Sequence, residues 1–210
     1  MTAISQLDEP IDGRTARAVR TRDALVDACV ALIDEGDLRP TGPRIAERAG
    51  VSVRSVFQHF DDLESLFSAV GARVRQRLAA IVAPIDPAAP RQERLAAFVD
   101  QRAQLLEAVT PVLRASLVHA ATSAVITRQY EHGHELFRRQ VDEAFAVELA
   151  SAADPVRMHD ALMVAASWPS WNMLRAAEGR SVSDARASMV WALQAAFAVT
   201  DAAQDAGASQ

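Results

Sequence analysis

The sequence contains no lysine, so all 22 of its basic residues are arginine. Because 27 acidic residues outnumber them, the formal net charge is -5, which excludes a polycation that binds nucleic acid over its whole surface. Any contact with nucleic acid must then come from a local patch, for which the planar, doubly donating guanidinium of arginine is well suited. The single cysteine, Cys29, excludes an intrachain disulfide and is typical of a reducing compartment.

Long apolar runs are also missing from the sequence. No segment approaches the roughly 18 apolar residues expected of a membrane span, and no basic start followed by an apolar stretch resembles a secretory signal. We therefore expect a cytoplasmic protein without a membrane partner. No Gly-rich phosphate loop, complete metal-ligand set or short-range nucleophile–base pair is recognisable. These absences argue against an enzyme and against a metal or other cofactor, although residues assembled only in space would escape this test.

Helical spacing recurs along the chain, whereas the alternation typical of strands is absent. The pattern predicts an all-α protein of about nine helices, with an N-terminal three-helix helix-turn-helix domain and a C-terminal helical bundle. We predict a flexible arm at 1–13, a DNA-binding domain at 14–83, a linker at 84–90, a second domain at 91–201 and a flexible tail at 202–210. The helices expected in the second domain cover about 91–109, 111–121, 123–150, 155–177 and 183–201.

Capping residues divide the first domain into helices. Thr41 and Gly50 are typical of the start and end of one short helix, and Ser52 can cap the next. Asp61 with Glu64 predicts a capping box for the helix that follows. Before them, a helical stripe of apolar residues predicts the core of the first helix: Leu25, Val26, Cys29, Leu32 and Ile33. Two short helices joined at Gly50, with a third packed before them, form a helix-turn-helix.

The second short helix mixes apolar and hydrogen-bonding residues in the segment AGVSVRSVFQHF, residues 49–60. Its apolar residues fall at i, i+3, i+4 and i+7 and are expected to anchor it: Val53, Val56, Phe57 and Phe60. The other face can enter the DNA major groove, where Arg54 can read guanine and Gln58 can read adenine. The serines and His59 can contact phosphates. The alternatives are a merely solvated surface for Arg54 and Gln58, and a capping or packing role for His59.

Arginines before this motif supply positive charge for the DNA backbone. They cluster at 14–22, and Arg44 lies at the start of the second helix. Each neutralised phosphate is expected to steepen the salt dependence of binding by roughly 0.9 log units per decade of salt. The predicted DNA-binding residues are Arg17, Arg20, Arg22, Thr41, Arg44, Ser52, Val53, Arg54, Ser55, Phe57, Gln58 and His59.

Residues 21–70 resemble the DNA-binding domain of the TetR (tetracycline-repressor-like) family of bacterial transcriptional regulators. The likeness rests on IAERAGVSVRSVFQHF at 45–60 and LESLFSAV behind it. It implies a regulator, usually a repressor, that binds a palindromic operator as a homodimer and is released by a small-molecule effector. Two positions depart from the family pattern: Phe57 replaces a tyrosine that often contacts a phosphate, and Leu63 stands near an expected lysine. The alternatives are a constitutive DNA-binding protein without an effector, or a helical enzyme or carrier.

The second domain resembles the family's effector-binding and dimerisation domain more loosely, through WNMLRAAEGRSVSDA at 171–185. Family members pair through their last two helices. The last predicted helix is apolar on more than one face, which favours a partner helix, although burial within its own domain is the alternative. The predicted dimer interface contains Arg175, Met189, Leu193, Ala196 and Phe197.

A cavity is expected beside Pro169, because a proline within a helical pattern predicts a kink near 166–169. Trp168 or Trp171 can line that cavity, or both can be ordinary core. Arg102 interrupts an apolar stripe and needs a partner charge, which is either a carboxylate of a neighbouring helix or the acidic group of a ligand. The predicted ligand site, for an apolar effector, comprises Phe98, Arg102, Leu105, Leu117, Tyr130, His134, Phe137, Met163, Trp168 and Trp171.

Glu131 and His134 share the Glu-x-x-His spacing of di-iron bundles, which need two such pairs. The sequence contains no second pair. We therefore interpret this segment as a polar helix face and predict no metal site.

Overall fold

A computed structural model describes residues 13–120 and 123–208. Within these residues every regular element is helical, which confirms the all-α fold class. The helices are α1 (Gly13–Asp34), α2 (Gly42–Ala49), α3 (Val53–His59), α4 (Leu63–Ala79), α5 (Arg91–Ala120), α6 (Ala124–Ala144), α7 (Ala146–Ser151), α8 (Pro155–Ala165), α9 (Trp168–Asn172), a π-helical turn (Met173–Ala177) and α10 (Val182–Ala208). Of the arm predicted at 1–13, residues 1–12 lie outside the described residues and Gly13 begins α1; α10 continues through 202–208, where the sequence predicted a flexible tail. None of the described helices is long and apolar enough to cross a bilayer.

The short helices α2 and α3 begin and end at the expected capping residues. Thr41 precedes α2, and Gly50 ends it with a φ of 68°, the left-handed conformation that glycine adopts without strain. The hydroxyl of Ser52 accepts the Ser55 backbone N–H at 3.2 Å and so caps α3. Local side-chain chemistry therefore sets the turn between the two helices.

The cap of α4 lies one residue later than the sequence predicted. Asp62, and not Asp61, accepts the Ser65 N–H at 2.7 Å, and the Ser65 hydroxyl receives the Asp62 N–H at 3.4 Å. The capping box therefore uses serine as its third helical residue. Glu64 is left to accept a hydrogen bond from the Ser123 hydroxyl at the start of α6.

The core of the first four helices contains the predicted apolar stripe of α1. Leu25, Cys29 and Ile33 are buried there, and burial, with the nearby Asp37 carboxylate, raises the pKa of the Cys29 thiol to about 12. Cys29 is thus a core residue and not a reactive thiol. From α3, Val56 packs into this core together with Phe60, the residue that follows the helix.

Two of the four residues expected to anchor α3 do not do so. Val53 is 41% exposed and Phe57 is 55% exposed, so the predicted anchoring role is wrong for both. The helix has seven residues and packs through the face that carries Val56. Val53 and Phe57 are rotated away from that face, and the Phe57 ring turns toward Gly42 at the start of α2.

Two predicted helix boundaries in the second half differ from the structure. A break was expected near residue 110, but α5 continues through Pro111 for 30 residues. Proline removes one backbone hydrogen bond, and the buried face of α5, which includes Leu106 and Val109, keeps the helix continuous. A single helix was expected over 123–150, but Phe145 separates α6 from α7 and is fully buried against Phe98 and Phe197.

The predicted kink near 166–169 is a complete break in the helix. Ala165 ends α8, and Ser167 caps α9 by accepting the Ser170 N–H at 3.3 Å. Pro169 lies in the first turn of α9, where its missing N–H needs no partner. The chain therefore changes direction where Trp168 begins the new helix.

Helix α4 connects the two halves of the protein. On one side its Arg73 forms ion pairs with Asp23 and Asp27 of α1. On the other side it packs against α5 and α6, and the Gln129 side chain of α6 donates to the Ser68 carbonyl at 3.2 Å. Helix α4 thus contacts α5 and α6 on one side and, on the other, α1, which packs against α2 and α3.

Candidate nucleic-acid interface and internal cavity

Helix α3 presents a mixed surface to solvent. Arg54 and Gln58 are exposed, and Phe57 and Val53 lie beside them on the accessible side. His59 is only half-buried at the end of the helix. The solvent-facing side of α3 therefore carries a guanidinium and a carboxamide, the two groups that read guanine and adenine edges.

The hydroxyls of this region divide into two groups. Ser52 and Ser55 bond to each other, with 2.9 Å between the two oxygens, and Ser52 also caps α3. Thr41 is exposed, and its side chain makes no capping hydrogen bond. Thr41 is thus the more available donor for a phosphate, whereas the two serines already stabilise the start of α3.

The predicted arginines lie on the surface, but two of them already have partners. Arg17 and Arg20 are exposed on α1. The Arg22 guanidinium lies 4.7 Å from the centre of the Phe60 ring, a cation–π contact that holds it beside the end of α3. Arg44 forms an ion pair with Asp37 at 2.5 Å, so a phosphate at Arg44 has to compete with that carboxylate.

The two positions that depart from the family pattern lie at this surface and at its edge. Phe57 exposes an apolar ring where a hydroxyl is usual. Leu63 opens α4 and is partly buried against the core, so it offers no charge to DNA. Asp61 and Asp62, both exposed, precede it.

The second half of the protein encloses a cavity of about 210 Å³. Five helices, α4, α5, α6, α8 and α9, and the break before α9 contribute to its walls, and the polar part of the lining is small. The wall includes Gly71, Val74, Arg75 and Leu78 of α4; Arg102, Val109, Val112, Leu113 and Ser116 of α5; Gln129, Tyr130, Gly133, His134, Leu136 and Phe137 of α6; and Met163, Ala166, Ser167, Trp168 and Pro169. A largely apolar, concave site with few polar groups is typical of small-molecule binding.

Six of the ten residues predicted for a ligand site line this cavity: Arg102, Tyr130, His134, Phe137, Met163 and Trp168. The other four do not. Phe98 lines a neighbouring cavity, and Leu105 is buried in the core. Leu117 is half-exposed, and Trp171 is buried where its indole N–H donates to Glu107 at 2.8 Å. These four belong to the right helices but point to other sides of them.

Sequence reasoning missed the contribution of α4 to this wall. A Cβ atom built on Gly71 would lie 2.3 Å from the Gln129 side-chain oxygen, so the glycine permits a close approach of α6 to α4. A glycine within an otherwise apolar helix was the signal for this contact. Gly133, by contrast, has open space around it and lines the cavity.

Arg102 is buried and has no carboxylate partner among the described residues. Its Nη2 donates to the Phe137 carbonyl at 2.9 Å. The prediction of a partner carboxylate on a neighbouring helix is therefore wrong. Burial lowers the pKa of the guanidinium to about 10, which still leaves it charged at neutral pH.

Most of the predicted dimer residues have partners within their own chain. Met189, Leu193 and Phe197 are buried within their own chain, and Arg175 forms an ion pair with Glu107 at 3.0 Å. Ala196 is half-buried. The apolar residues that remain on the surface of α8 and α10 are others: Val156, Val164, Trp191 and Val199. The sequence missed Trp191, because a helix that is apolar on several faces does not reveal which face is buried.

In the polar segment around His134, as elsewhere in the described part of the chain, no three potential metal ligands come together. The His132 ring and the Glu135 carboxylate are 3.9 Å apart. His134 instead lies on the cavity wall.

Known proteins resemble this chain at two levels: a sequence family matches the helix-turn-helix head, and solved structures match most of the chain. Residues 25–70 match the sequence model of a family described as bacterial regulatory proteins, tetR family. No curated protein sequence matches the chain.

Solved structures match over most of the chain. A TetR-family transcriptional regulator from Streptomyces coelicolor is 16% identical, with a TM-score of 0.70 over 90% of this chain and 86% of that one. A transcriptional regulator from Rhodococcus sp. Rha1 is 17% identical, with a TM-score of 0.67 over 88% and 97%. A TetR transcription regulator from Haloarcula marismortui is 16% identical, with a TM-score of 0.60 over 88% and 98%. At this identity the likeness establishes the fold.

The described residues thus form a helix-turn-helix head that α4 joins to a larger helical part with an internal cavity. The tetR-family match is confined to residues 25–70, which form this head, and the fold of the rest is the one found in the solved regulator structures.

Proposed function

We propose that the protein is a repressor that binds a palindromic operator as a homodimer and is released by a small-molecule effector. The observation that carries this proposal is the double role of α4, which forms one wall of the cavity and is ion-paired to α1 behind the DNA-binding surface. A molecule in the cavity therefore touches the helix that positions the head.

In this proposal Arg54 and Gln58 enter the major groove and read base edges. Thr41 and the arginines of α1 hold the phosphates on either side. The exposure of these side chains supports the assignment. Arg44 binds a phosphate only when its ion pair with Asp37 is broken.

The homodimer is proposed to form through α8 and α10, which pack against each other and carry exposed apolar side chains. Trp191 is 74% exposed and Val199 is 73% exposed on α10, and Val164 is 66% exposed on α8. A second copy covers these side chains best, because a two-fold axis sets the same patch against itself. To bind successive major grooves, such a dimer has to hold its two α3 helices about 34 Å apart.

Effector release is proposed as a coupled equilibrium. A ligand that fits the cavity better in one position of α4 favours a dimer whose α3 helices no longer match the groove spacing. A coupling free energy of about 1–3 kcal/mol changes operator affinity by about 5–150-fold. A constitutive DNA-binding protein without an effector is the alternative that the experiment below distinguishes.

The test uses fluorescence anisotropy with duplex DNA from upstream of the protein's own coding region. We expect salt-sensitive binding that Arg54→Ala with Gln58→Ala weakens at least about tenfold, the effect of losing one or two base contacts. Arg139→Ala removes an exposed arginine from α6 and is the matched control. Unchanged affinity and sequence preference in the double variant would overturn the assignment of α3. Binding that no small molecule alters would favour the constitutive alternative.

A further inference from the structure

The cavity that the proposed function assigns to an effector contains a buried cation without a counter-charge. Arg102 is 1% exposed. Its guanidinium carbon lies 4.9 Å from the ring centre of Phe98 and 4.8 Å from that of Phe137. Its Nε–H has no acceptor among the described residues. A buried charge is costly unless it is paired and hydrogen-bonded.

Arg94, on the same helix, shows how this chain satisfies a buried arginine. Arg94 lies eight residues before Arg102 and is 4% exposed. It forms two hydrogen bonds with the Glu148 carboxylate, at 2.5 and 2.9 Å. It also donates to the carbonyls of Ala144 at 2.5 Å and Ala89 at 3.0 Å. Arg94 is a complete structural ion pair, whereas Arg102 has a single carbonyl partner.

No side chain that lines the cavity supplies the missing negative charge. The titratable residues of the lining are Arg75, Arg102, Tyr130 and His134, and no aspartate or glutamate is among them. Glu143 lines a neighbouring cavity that Arg102 also reaches. Its side chain is exposed to solvent, and it makes no ion pair with Arg102. The cavity is therefore both apolar and electropositive.

The dimensions of the cavity limit the size of its ligand. Along α5 the lining runs from Arg102 to Ser116, a rise of about 21 Å at 1.5 Å per residue. Arg102 lies at one end, and the middle is formed by Val109, Val112 and Leu113, with Trp168 also on the wall. The volume of about 210 Å³ exceeds the roughly 150 Å³ that accommodates benzene in an engineered protein cavity. One ring or a short chain with a polar end group fits this space.

We propose that the effector is a small amphipathic monocarboxylate whose acid group binds Arg102. The carboxylate takes the free Nε–H and the remaining N–H of Nη2, which form one edge of the guanidinium fork. The apolar ring or chain then lies between α5, Trp168 and the α4 residues Val74 and Leu78. The ligand thus pairs the cation and touches the helix that carries the DNA-binding head.

The test measures binding of matched acids and amides to the full chain. Phenylacetate, 4-phenylbutyrate and octanoate are each compared with the corresponding primary amide by calorimetry and thermal shift at pH 7.5. We expect at least one acid to bind about tenfold or more tightly than its amide, the effect of a charge-assisted pair. Arg102→Gln should abolish that preference, and Arg139→Gln, which lies outside the cavity lining, should retain it.

A second measurement separates a binding role of Arg102 from a structural one. Without ligand, Arg102→Met should keep or raise the melting temperature, because it removes an unpaired buried charge. Arg94→Met should lower it, because it leaves the Glu148 carboxylate buried without a partner. Equal destabilisation by the two variants would show that Arg102 is structural and would overturn the inference.

The remaining outcomes distinguish this inference from the proposed function. If the wild-type protein binds operator DNA but no acid in the panel binds more tightly than its amide, the carboxylate assignment is wrong and the DNA-binding proposal stands. If the acid preference is found but no duplex is bound, the proposed regulatory function fails and the ligand site stands.

Discussion

Phe57 places an apolar ring, 55% exposed, in the middle of a surface of hydrogen-bonding side chains. The ring cannot donate to a phosphate, but it can contact a thymine methyl group. At the opposite extreme of exposure, Arg102 is a full charge at 1% exposure with one carbonyl partner. An aromatic ring is usually buried and a charged group is usually exposed, so both residues are unusual. Such exceptions are common at binding sites.

Phe57→Tyr should tighten operator binding about fivefold, the worth of one additional phosphate hydrogen bond of about 1 kcal/mol. Because the ring is exposed, the added hydroxyl needs no buried space, and the melting temperature should not change. Anisotropy titrations at two salt concentrations measure the effect. An unchanged dissociation constant would show that this ring does not face a phosphate.

Glu107→Gln should remove part of the acid sensitivity of the fold. The hydrogen bonds from Arg175 lower the pKa of Glu107 against the opposing effect of partial burial, and the Trp171 indole adds another donor. A lowered folded-state pKa stabilises the protein above the unfolded value, near 4.5, and this stabilisation is lost as the pH falls through the folded value. Because the pair is partly exposed, it contributes less than about 1 kcal/mol.

Melting temperatures between pH 7 and 3 test this prediction. At pH 7 the variant should melt lower than the wild type by no more than about 2–4 °C, and the two curves should converge at the acid end. Glu131→Gln removes an exposed carboxylate from α6 and is the control. A constant difference across the whole pH range would show that the charge of Glu107 does not matter.

At the scale of helices, the sequence predicted those helix ends that depend on neighbouring residues alone. Thr41, Gly50 and Ser52 set the ends of α2 and α3 through their own hydrogen bonds or backbone conformation. The break at Phe145 could not be predicted, because it depends on burial of that ring between Phe98 and Phe197, which are distant in sequence. The sequence likewise showed that Arg102 interrupts an apolar stripe, but it could not show which residues surround Arg102, because they are distant in sequence.

The contact between α4 and α6 shows how a small residue couples two helices. Gln129 donates to the carbonyl and hydroxyl of Ser68 at 3.2 and 3.1 Å, and Gly71 leaves room for its side chain. In Gly71→Ala the new methyl group displaces the flexible end of Gln129, so a lost hydrogen bond offsets the gain in helix propensity. Both effects are about 1 kcal/mol.

We therefore expect Gly71→Ala to leave stability within about 0.5 kcal/mol of the wild type, since the two effects cancel. In a Gln129→Ala background nothing opposes the methyl group, and the same change should stabilise by about 0.5–1 kcal/mol. Urea unfolding of the four proteins of this double-mutant cycle measures the difference. Simple additivity would show that Gly71 does not accommodate Gln129.

At the scale of the whole molecule, the apolar side chains on the surface of α8 and α10 form the proposed dimer interface. Trp191 is central to the proposed homodimer because of its size and 74% exposure. Its neighbours Met189 and Leu193, which the sequence analysis had assigned to the interface, are buried and stabilise the protomer instead.

Trp191→Glu should therefore convert the dimer to a folded monomer. Light scattering coupled to gel filtration measures the mass, and circular dichroism checks that the helices are retained. Operator affinity should fall by at least about tenfold, because each monomer holds only one half-site. Leu117→Glu alters another exposed apolar residue, 50% accessible, on α5 and should leave the mass unchanged. A dimeric Trp191→Glu protein would place the interface elsewhere.

The shared position of α4 has a consequence for how the protein behaves in a cell. Under the proposed mechanism, coupling between two sites is reciprocal, so operator DNA weakens the ligand by the same factor by which the ligand weakens the operator. Additional operator copies then act as a reservoir that holds the protein in its ligand-averse form. The concentration of inducer needed for a half-maximal response should rise with the number of operators, without any change in the protein itself.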